Sequence, residues 1–166
     1  VVKNVGEAFF RSFKQSFDLD YTIFRFFNTY GPNQSVDFVV AKFIALALKN
    51  DPITIYGDGS QTRTFCYVDD NIDTCVKVFE ENYHLNQTIN IGGADEISIL
   101  DLAKLVIKLS NSKSEIVHLP PLKDGDMTRR MPDNSKMRVI LNRDLISIEE
   151  GIKLLLNDPV FLNQVK

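Results

Sequence analysis

Helix-like and strand-like segments alternate along this chain, and that alternation limits its fold more than any other feature. Residues 4–17 carry apolar side chains at helical spacing, with aromatic residues widening the apolar face. A buried-strand pattern follows at 21–27, then a second helical pattern at 36–48 and a short strand pattern at 53–56. This order of elements favours an α/β architecture with a largely parallel sheet.

The second half of the chain continues the alternation with shorter elements. Asp69 or Asp70 is placed to cap a helix that runs to Glu80, and Ser98 is placed to cap another that runs to Leu109. A catalytic carboxylate pair is the alternative interpretation of the two aspartates. Further elements are predicted as strands at 87–91 and 115–119, a long charged loop at 120–132, and short helices at 135–141 and 148–156.

Composition excludes several classes of function. The 166 residues are 44% hydrophobic and 25% charged, as in an ordinary globular domain, and the net charge of -3 offers no general attraction to nucleic acid. No apolar run approaches the ~20 residues that a membrane span needs. Cys66 and Cys75 lack the spacing of a metal knuckle or a redox pair, which predicts reduced packing residues in a cytoplasmic protein without a metal site. His84 and His118 also lack metal-ligand or triad spacing, so structural or surface roles are expected.

The stretch Tyr56–Asp70 contains the first candidate binding residue. Arg63 is the only cation in a strand-like run, and an arginine held on a strand presents a rigid fork of donors that suits a phosphate or a carboxylate. The alternative is that Arg63 pairs with a local carboxylate. Gly57 and Gly59 do not complete a dinucleotide fingerprint, because a third glycine and a following helix are missing.

Other polar residues stand in comparable settings. Lys42 and Arg130 have few carboxylates near them in sequence, while Asn28 and Tyr56 lie at the ends of predicted strands. If these residues converge with Arg63, they form a site for a diphosphate beside a flat hydrogen-bonding group, such as a nucleotide. The alternative for Arg130 is that it is simply solvated in its charged loop.

Four stretches resemble, in the right order, landmarks of NAD-dependent nucleotide-sugar epimerases, dehydratases and decarboxylases, the extended short-chain dehydrogenases. They are Arg-Phe-Phe-Asn-Thr-Tyr-Gly-Pro from Arg25, Ile-Tyr-Gly-Asp-Gly-Ser-Gln-Thr-Arg-Thr-Phe from Ile55, Asn-Ile-Gly from Asn90, and Arg-Met-Pro-Asp-Asn-Ser-Lys from Arg130. The resemblance implies the C-terminal part of a Rossmann-type NAD(P)-binding fold plus a small α/β substrate-binding domain. Residues 1–30 would be the last helix and strand of the dinucleotide-binding domain, and 31–166 the substrate-binding region.

The resemblance also implies roles on the cofactor side. Lys3 matches the lysine of a Tyr-x-x-x-Lys motif, which holds the nicotinamide ribose and lowers the pKa of the catalytic tyrosine. That tyrosine would precede Val1. Phe27 matches a position near the nicotinamide of NAD, and Thr29 is expected to be a further cofactor-binding residue. The chain is therefore expected to be part of a longer enzyme and to be inactive by itself.

On the substrate side, the resemblance assigns Asn28 and Lys42 to the sugar nucleotide, Tyr56 to the base pocket, and Arg63 and Arg130 to the diphosphate. The implied ligand is a UDP-, dTDP- or GDP-sugar, and the implied assembly is a homodimer through helix 4–17. Two other functions stay open. The chain could be a sugar-nucleotide-binding module without catalysis, or a reductase of a non-nucleotide substrate on the same fold. The two arginines argue against the reductase, because its substrate has no diphosphate.

Overall fold

The computed structural model describes residues 2–82, 85–121 and 129–165, which form seven helices and nine short strands. The helices are α1 (Val2–Phe17), α2 (Val39–Lys49), α3 (Val68–Glu80), α4 (Ile99–Ser110), α5 (Ser135–Leu141), α6 (Ile148–Asn157) and α7 (Pro159–Val165). The strands are β1 (Thr22–Phe26), β2 (Thr29–Tyr30), β3 (Ile53–Tyr56), β4 (Thr62–Thr64), β5 (Cys66–Tyr67), β6 (Gln87–Ile91), β7 (Glu96–Ser98), β8 (Ile116–Leu119) and β9 (Arg129–Arg130).

Most strand pairs are parallel. β1 pairs with β6, β2 with β5, and β3 with β8, all in parallel. β4 lies between β7, to which it is antiparallel, and β9, to which it is parallel. Parallel strands joined through helices are the mark of an α/β protein, so the fold class predicted from the sequence is confirmed.

The larger hydrophobic core lies between β3 and the helices α2, α4 and α6. Ile53 and Ile55 point into it from alternate positions of β3, since side chains of a strand alternate between its two faces. Ser98 caps α4, as predicted: its Oγ accepts a hydrogen bond from the backbone N–H of Asp101. This core fixes Tyr30, which is 1% exposed, and with it the loop that follows β1.

A smaller core joins β6 to α3 and α5. Ile89, Ile91, Val78 and Met137 are buried in it, and Phe24 of β1 packs against them. β1 therefore packs with elements that come much later in the chain. The division of the chain at residue 30 stays a prediction.

Helix α1 confirms the pattern seen at 4–17 but leaves its aromatic face uncovered. None of its residues is buried, and Phe9, Phe13 and Phe17 are 59%, 48% and 66% exposed. A bidentate ion pair connects α1 to β1: both Glu7 carboxylate oxygens accept hydrogen bonds from the Arg25 guanidinium at 2.7 Å.

The predicted cap of α3 is wrong. The helix begins at Val68, so Asp69 and Asp70 lie inside its first turn instead of before it. Asp70 is fully buried and accepts hydrogen bonds from the Arg143 guanidinium at 2.6 Å and from the Ile146 backbone N–H at 2.9 Å. Both of its oxygens thus hold α3 against the segment before α6, which leaves no free carboxylate pair for acid–base chemistry.

The C-terminal region contains one helix more than the sequence analysis predicts. α7 begins with Pro159, and the Asp158 carboxylate before it accepts from the backbone N–H of Phe161 at 2.7 Å. Of the loop predicted at 120–132, residues 122–128 lie outside the described part, and its last arginines form β9. His84 also lies outside it, whereas His118 Nδ1 lies 2.8 Å from the Gly57 carbonyl oxygen.

Three further observations concern the described residues. No helix among them has both the length and the apolar character needed to cross a membrane. No group of three or more metal-binding side chains forms among them. Cys66 and Cys75 are free, and burial raises the pKa of the Cys66 thiol to about 12, so Cys66 is a packing residue rather than a nucleophile.

Candidate functional site

A cleft of about 350 Å³ opens next to the carboxyl end of β1. Its walls come from the loop after that strand, the start of α2, the segment after β4, and β9. The lining residues are Phe26, Asn28, Thr29, Tyr30, Gln34, Phe38, Val39, Val40, Phe65 and Arg130. Ligands of α/β proteins characteristically bind beyond the carboxyl ends of strands, so this cleft is the candidate site.

Asn28 holds a special backbone conformation at the floor of the cleft. Its φ is +26°, a value that asparagine adopts more readily than most residues. Its side-chain Nδ2 donates to the Thr64 carbonyl oxygen at 2.9 Å, and its own carbonyl oxygen accepts from the Cys66 N–H at 3.2 Å. The side-chain oxygen receives no bond from the described residues and is the atom that can accept from a ligand.

The two arginines of β9 face opposite sides of their small sheet. Arg129 lies on one face, where its guanidinium donates to both Glu96 oxygens at 2.9 and 3.0 Å, and Thr62 Oγ1 donates to Glu96 at 2.6 Å. These bonds, first of all those from Arg129, hold the pKa of Glu96 below its usual value. Side chains alternate along a strand, so Arg130 lies on the other face, as does its register partner Arg63.

Among the described residues, Arg130 is the cation that lines the cleft. Its guanidinium lies 5.7 Å from the centre of the Phe27 ring, a cation–π contact, and it has no carboxylate partner among the residues that the structure describes. Arg63 lies opposite it on the neighbouring strand, with Nη1 donating to the Thr62 carbonyl oxygen at 2.7 Å. The backbone register therefore places the side chains of Arg63 and Arg130 on one face of the small sheet, and Arg130 lines the cleft.

The structure brings some of the predicted site residues together and leaves others apart. Asn28, Thr29 and Arg130 line the cleft, while Phe27 and Arg63 contact or adjoin Arg130. The remaining three do not line it, and they are Lys3 in the first turn of α1, Lys42 on α2 and Tyr56 at the end of β3. Tyr56 is 45% exposed and Lys3 is exposed.

Two cleft features were not predicted from the sequence. Phe38 is the residue before α2, and it supplies no side-chain acceptor to the first N–H groups of that helix. The start of α2, at Val39 and Val40, lines the cleft, so these donors and the positive end of the helix dipole lie beside it. The sequence contains a signal for this uncapped helix start, because a phenylalanine stands where a serine, threonine, aspartate or asparagine usually caps a helix. Gln34 also lines the cleft, with Nε2 donating to the Thr29 carbonyl oxygen.

Solved structures give a close match to the whole described fold. UDP-glucose 4-epimerase of Thermotoga maritima with UDP-glucose superposes with a TM-score of 0.85 at 30% identity, covering 98% of this chain and 52% of that one. UDP-glucuronic acid 4-epimerase of Bacillus cereus in complex with NAD gives 0.78 at 29% identity, covering 96% and 49%.

Curated sequences agree with this match. A protein of Bacillus subtilis described as an uncharacterized UDP-glucose epimerase, YtcB, is 33% identical over 92% of this chain and 48% of its own length. UDP-glucuronic acid decarboxylase 3 of Arabidopsis thaliana is 35% identical over 94% of this chain and 46% of its own length. The chain thus spans about half the length of these relatives. The family model described as "NAD dependent epimerase/dehydratase family" matches residues 1–92, which is more than half of the chain. The chain belongs to the NAD dependent epimerase/dehydratase family.

Proposed function

We propose that this chain forms the substrate-binding part of an NAD-dependent nucleotide-sugar epimerase or decarboxylase, and that Arg63 and Arg130 bind the substrate diphosphate. Residues 1–30 then belong to the dinucleotide-binding domain and 31–166 to the substrate-binding region. The observation that carries the proposal is the register of β4 and β9, which sets the two arginines opposite each other on one face.

Electrostatics favours an anion between these two side chains. The planar fork of a guanidinium matches phosphate oxygens, so a diphosphate can be held by two of them at once. The start of α2, which no side chain caps, adds N–H donors to the lining of the cleft.

The relatives support uridine as the base. The similar proteins and structures described above are named for UDP-sugars. Tyr56 is proposed to contact the base, and Lys42 to lie near the nucleotide. Neither lines the cleft, so their contacts would form with groups that extend beyond it.

The cofactor side of the cleft fits NAD at two residues. Thr29 lines the cleft, and its hydroxyl accepts from Asn71 and so keeps its own proton for a ligand. Phe27 offers a ring face beside Arg130. NAD bound there would supply hydride-transfer chemistry to the sugar. Lys3 is proposed to hold the ribose and to lower the pKa of a tyrosine that this chain does not contain.

We also propose a homodimer that buries the aromatic face of α1. The support is that exposed rings at Phe9, Phe13 and Phe17 form one apolar stripe. Light scattering of the full-length protein should give twice the monomer mass, and Phe13→Glu should give the monomer. A monomeric parent protein would contradict the proposal.

The function is tested with the full-length protein, NAD, and UDP-glucose or UDP-glucuronic acid as substrates. We expect turnover of at least one substrate, and Arg130→Gln should raise its KM about tenfold or more, since a bond between charged groups is lost. Arg129→Gln is the matched control. It removes an arginine from the adjacent position, but from the other face, and should leave KM within about twofold.

Two outcomes would contradict the proposal. One is equal loss of substrate affinity for the two variants, which would mean that the arginines act through net charge or stability alone. The other is that no nucleoside diphosphate binds the full-length protein, which would return the reductase of a non-nucleotide substrate as the leading function.

A further inference from the structure

We propose that Asn71 positions the Thr29 hydroxyl as a one-way hydrogen-bond donor to an oxygen atom of the ligand in the cleft. Thr29 is then a specificity-determining residue, and Asn71, which does not line the cleft, is a positioning residue that acts through it. This inference rests on the function proposed above. It adds the atom that donates, the direction of its proton and the residue that sets that direction.

A short hydrogen bond joins Asn71 to Thr29. Asn71 Nδ2 donates to Thr29 Oγ1 at 2.6 Å, from a side chain that is only 4% exposed. A threonine hydroxyl has one proton and two acceptor positions, so an oxygen that accepts from Asn71 directs its own proton elsewhere. No acceptor for that proton is found among the described residues, and Thr29 lines the cleft.

The contact with Thr29 leaves the other polar atom of the Asn71 side chain without a partner in the described structure. Asn71 Oδ1 is buried and receives no hydrogen bond from the described residues. If the amide were turned over, Oδ1 would accept from Thr29 instead, and the hydroxyl would have no proton left for a ligand. An unpartnered buried oxygen destabilises a fold, and a leucine on this face of α3 would avoid that loss.

Buried polar atoms without hydrogen-bond partners occur next to the cleft. In the described part of the chain, the buried side-chain atoms without partners are Asn71 Oδ1 and Thr64 Oγ1. Asn71 is bonded to Thr29, and the Thr64 carbonyl oxygen is bonded to Asn28, so both belong to residues that hold consecutive positions of the cleft floor. Destabilising features that collect around one site indicate that the site is built for binding rather than for stability.

The resulting cleft floor has a defined polarity. Thr29 offers a donor, Asn28 offers an acceptor oxygen, and Arg130 lies at the edge as a cation. The ligand atom opposite Thr29 is therefore an oxygen that accepts. Two ligands supply such an oxygen: the sugar nucleotide, through its sugar or phosphate, and NAD, through its carboxamide.

The test is a double-mutant cycle on the full-length protein, with dissociation constants for UDP, UDP-glucose and NAD measured by calorimetry. Thr29→Val keeps the shape of the side chain and removes the donor, so one ligand should bind about fivefold more weakly, the effect of one neutral hydrogen bond. Thr29→Ser keeps the hydroxyl and should stay within about twofold of the parent protein.

Asn71→Leu decides whether Asn71 acts through Thr29. Alone, it should weaken the same ligand about threefold, because the hydroxyl can then turn away. With Thr29→Val already present, it should have no further effect. If Asn71→Leu does not fold, Asn71→Ala gives the same cycle with a smaller side chain.

The three ligands identify the acceptor. An effect on UDP-glucose without one on UDP assigns the proton to a sugar oxygen, an effect on both assigns it to the nucleotide, and an effect on NAD alone assigns it to the carboxamide. Equal weakening by Asn71→Leu with and without Thr29→Val would overturn the inference while leaving the proposed function intact, as would unchanged binding of every ligand to Thr29→Val. If the parent protein binds none of the three, the proposed function and this inference fail together.

Discussion

Arg63 and Arg130 are register partners in adjacent parallel strands, and their side chains share the face that adjoins the cleft. Arg129, the residue immediately before Arg130, faces the other way and is held by Glu96. Neighbouring residues of β9 thus have different surroundings: Arg129 is paired with Glu96 on one face of the sheet, and Arg130 lies at the cleft on the other. That separation makes the two functions independently testable.

The separation predicts opposite thermal behaviour for the two β9 arginines. Arg129→Gln breaks the ion pair with Glu96, so we expect a lower Tm without ligand but an unchanged rise in Tm on adding UDP. For Arg130→Gln we expect little change without ligand and most of the UDP-induced rise lost. Differential scanning calorimetry at fixed protein and UDP concentrations measures both quantities. A UDP-induced rise that Arg130→Gln leaves intact would contradict the diphosphate site.

The buried Asp70 carboxylate should depend strongly on Arg143. Arg143→Met leaves a fully buried charge whose remaining partner, among the described residues, is the Ile146 N–H, so we expect the free energy of unfolding to fall by about 3 kcal/mol. Asp73 binds the same guanidinium at 2.6 Å but is 51% exposed, and Asp73→Asn should cost less than about 1 kcal/mol. Urea unfolding measures both, and equal losses would show that burial of Asp70 is not what matters.

Ser98 and Ser147 should each stabilise the start of a helix. Ser98 Oγ accepts from the Asp101 N–H at 3.0 Å, and Ser147 Oγ accepts from the Glu150 N–H at 3.2 Å. Ser98→Ala and Ser147→Ala should each reduce the free energy of unfolding by about 1 kcal/mol. Ser98→Asn keeps a side-chain acceptor and should recover most of the loss in urea unfolding. A loss as large for Ser98→Asn as for Ser98→Ala would argue against capping.

Alkaline pH should destabilise the protein through Cys66. Burial raises the pKa of this thiol from 9.0 to about 12, so above pH 9 the unfolded chain loses a proton that the folded chain retains. The contribution of the protonated Cys66 thiol to stability is therefore fully present below pH 9 and decreases as the pH rises towards 12. Burial also raises the pKa of Tyr30, which adds to the decrease only above the ordinary tyrosine pKa of about 10. Burial also raises the pKa of the Cys75 thiol, so Cys66→Ala should reduce, without abolishing, the fall of the urea midpoint between about pH 9 and 10. An unchanged slope would rule out Cys66 as an origin.

The sequence by itself determined the longer elements. The helical spacing at 4–17, 99–109 and 135–141 predicted α1, α4 and α5 to within two residues at each end, because the apolar repeat of a helix is a local property. The sequence also identified Asn28, Thr29 and Arg130 as candidate site residues, and the structure brings these three together in one cleft. A polar residue just after a buried strand is a signal that needs no knowledge of the partners.

Only the tertiary structure decided which groups meet. Strands of two or three residues, such as β4 and β9, are too short for a period to show, so the register that aligns Arg63 with Arg130 is absent from the sequence pattern. The same holds for Asp70, whose partner Arg143 comes from a distant segment, and for the Asn71 contact with Thr29. Periodicity records which face of an element is apolar, whereas the pairing of polar groups depends on how distant elements pack.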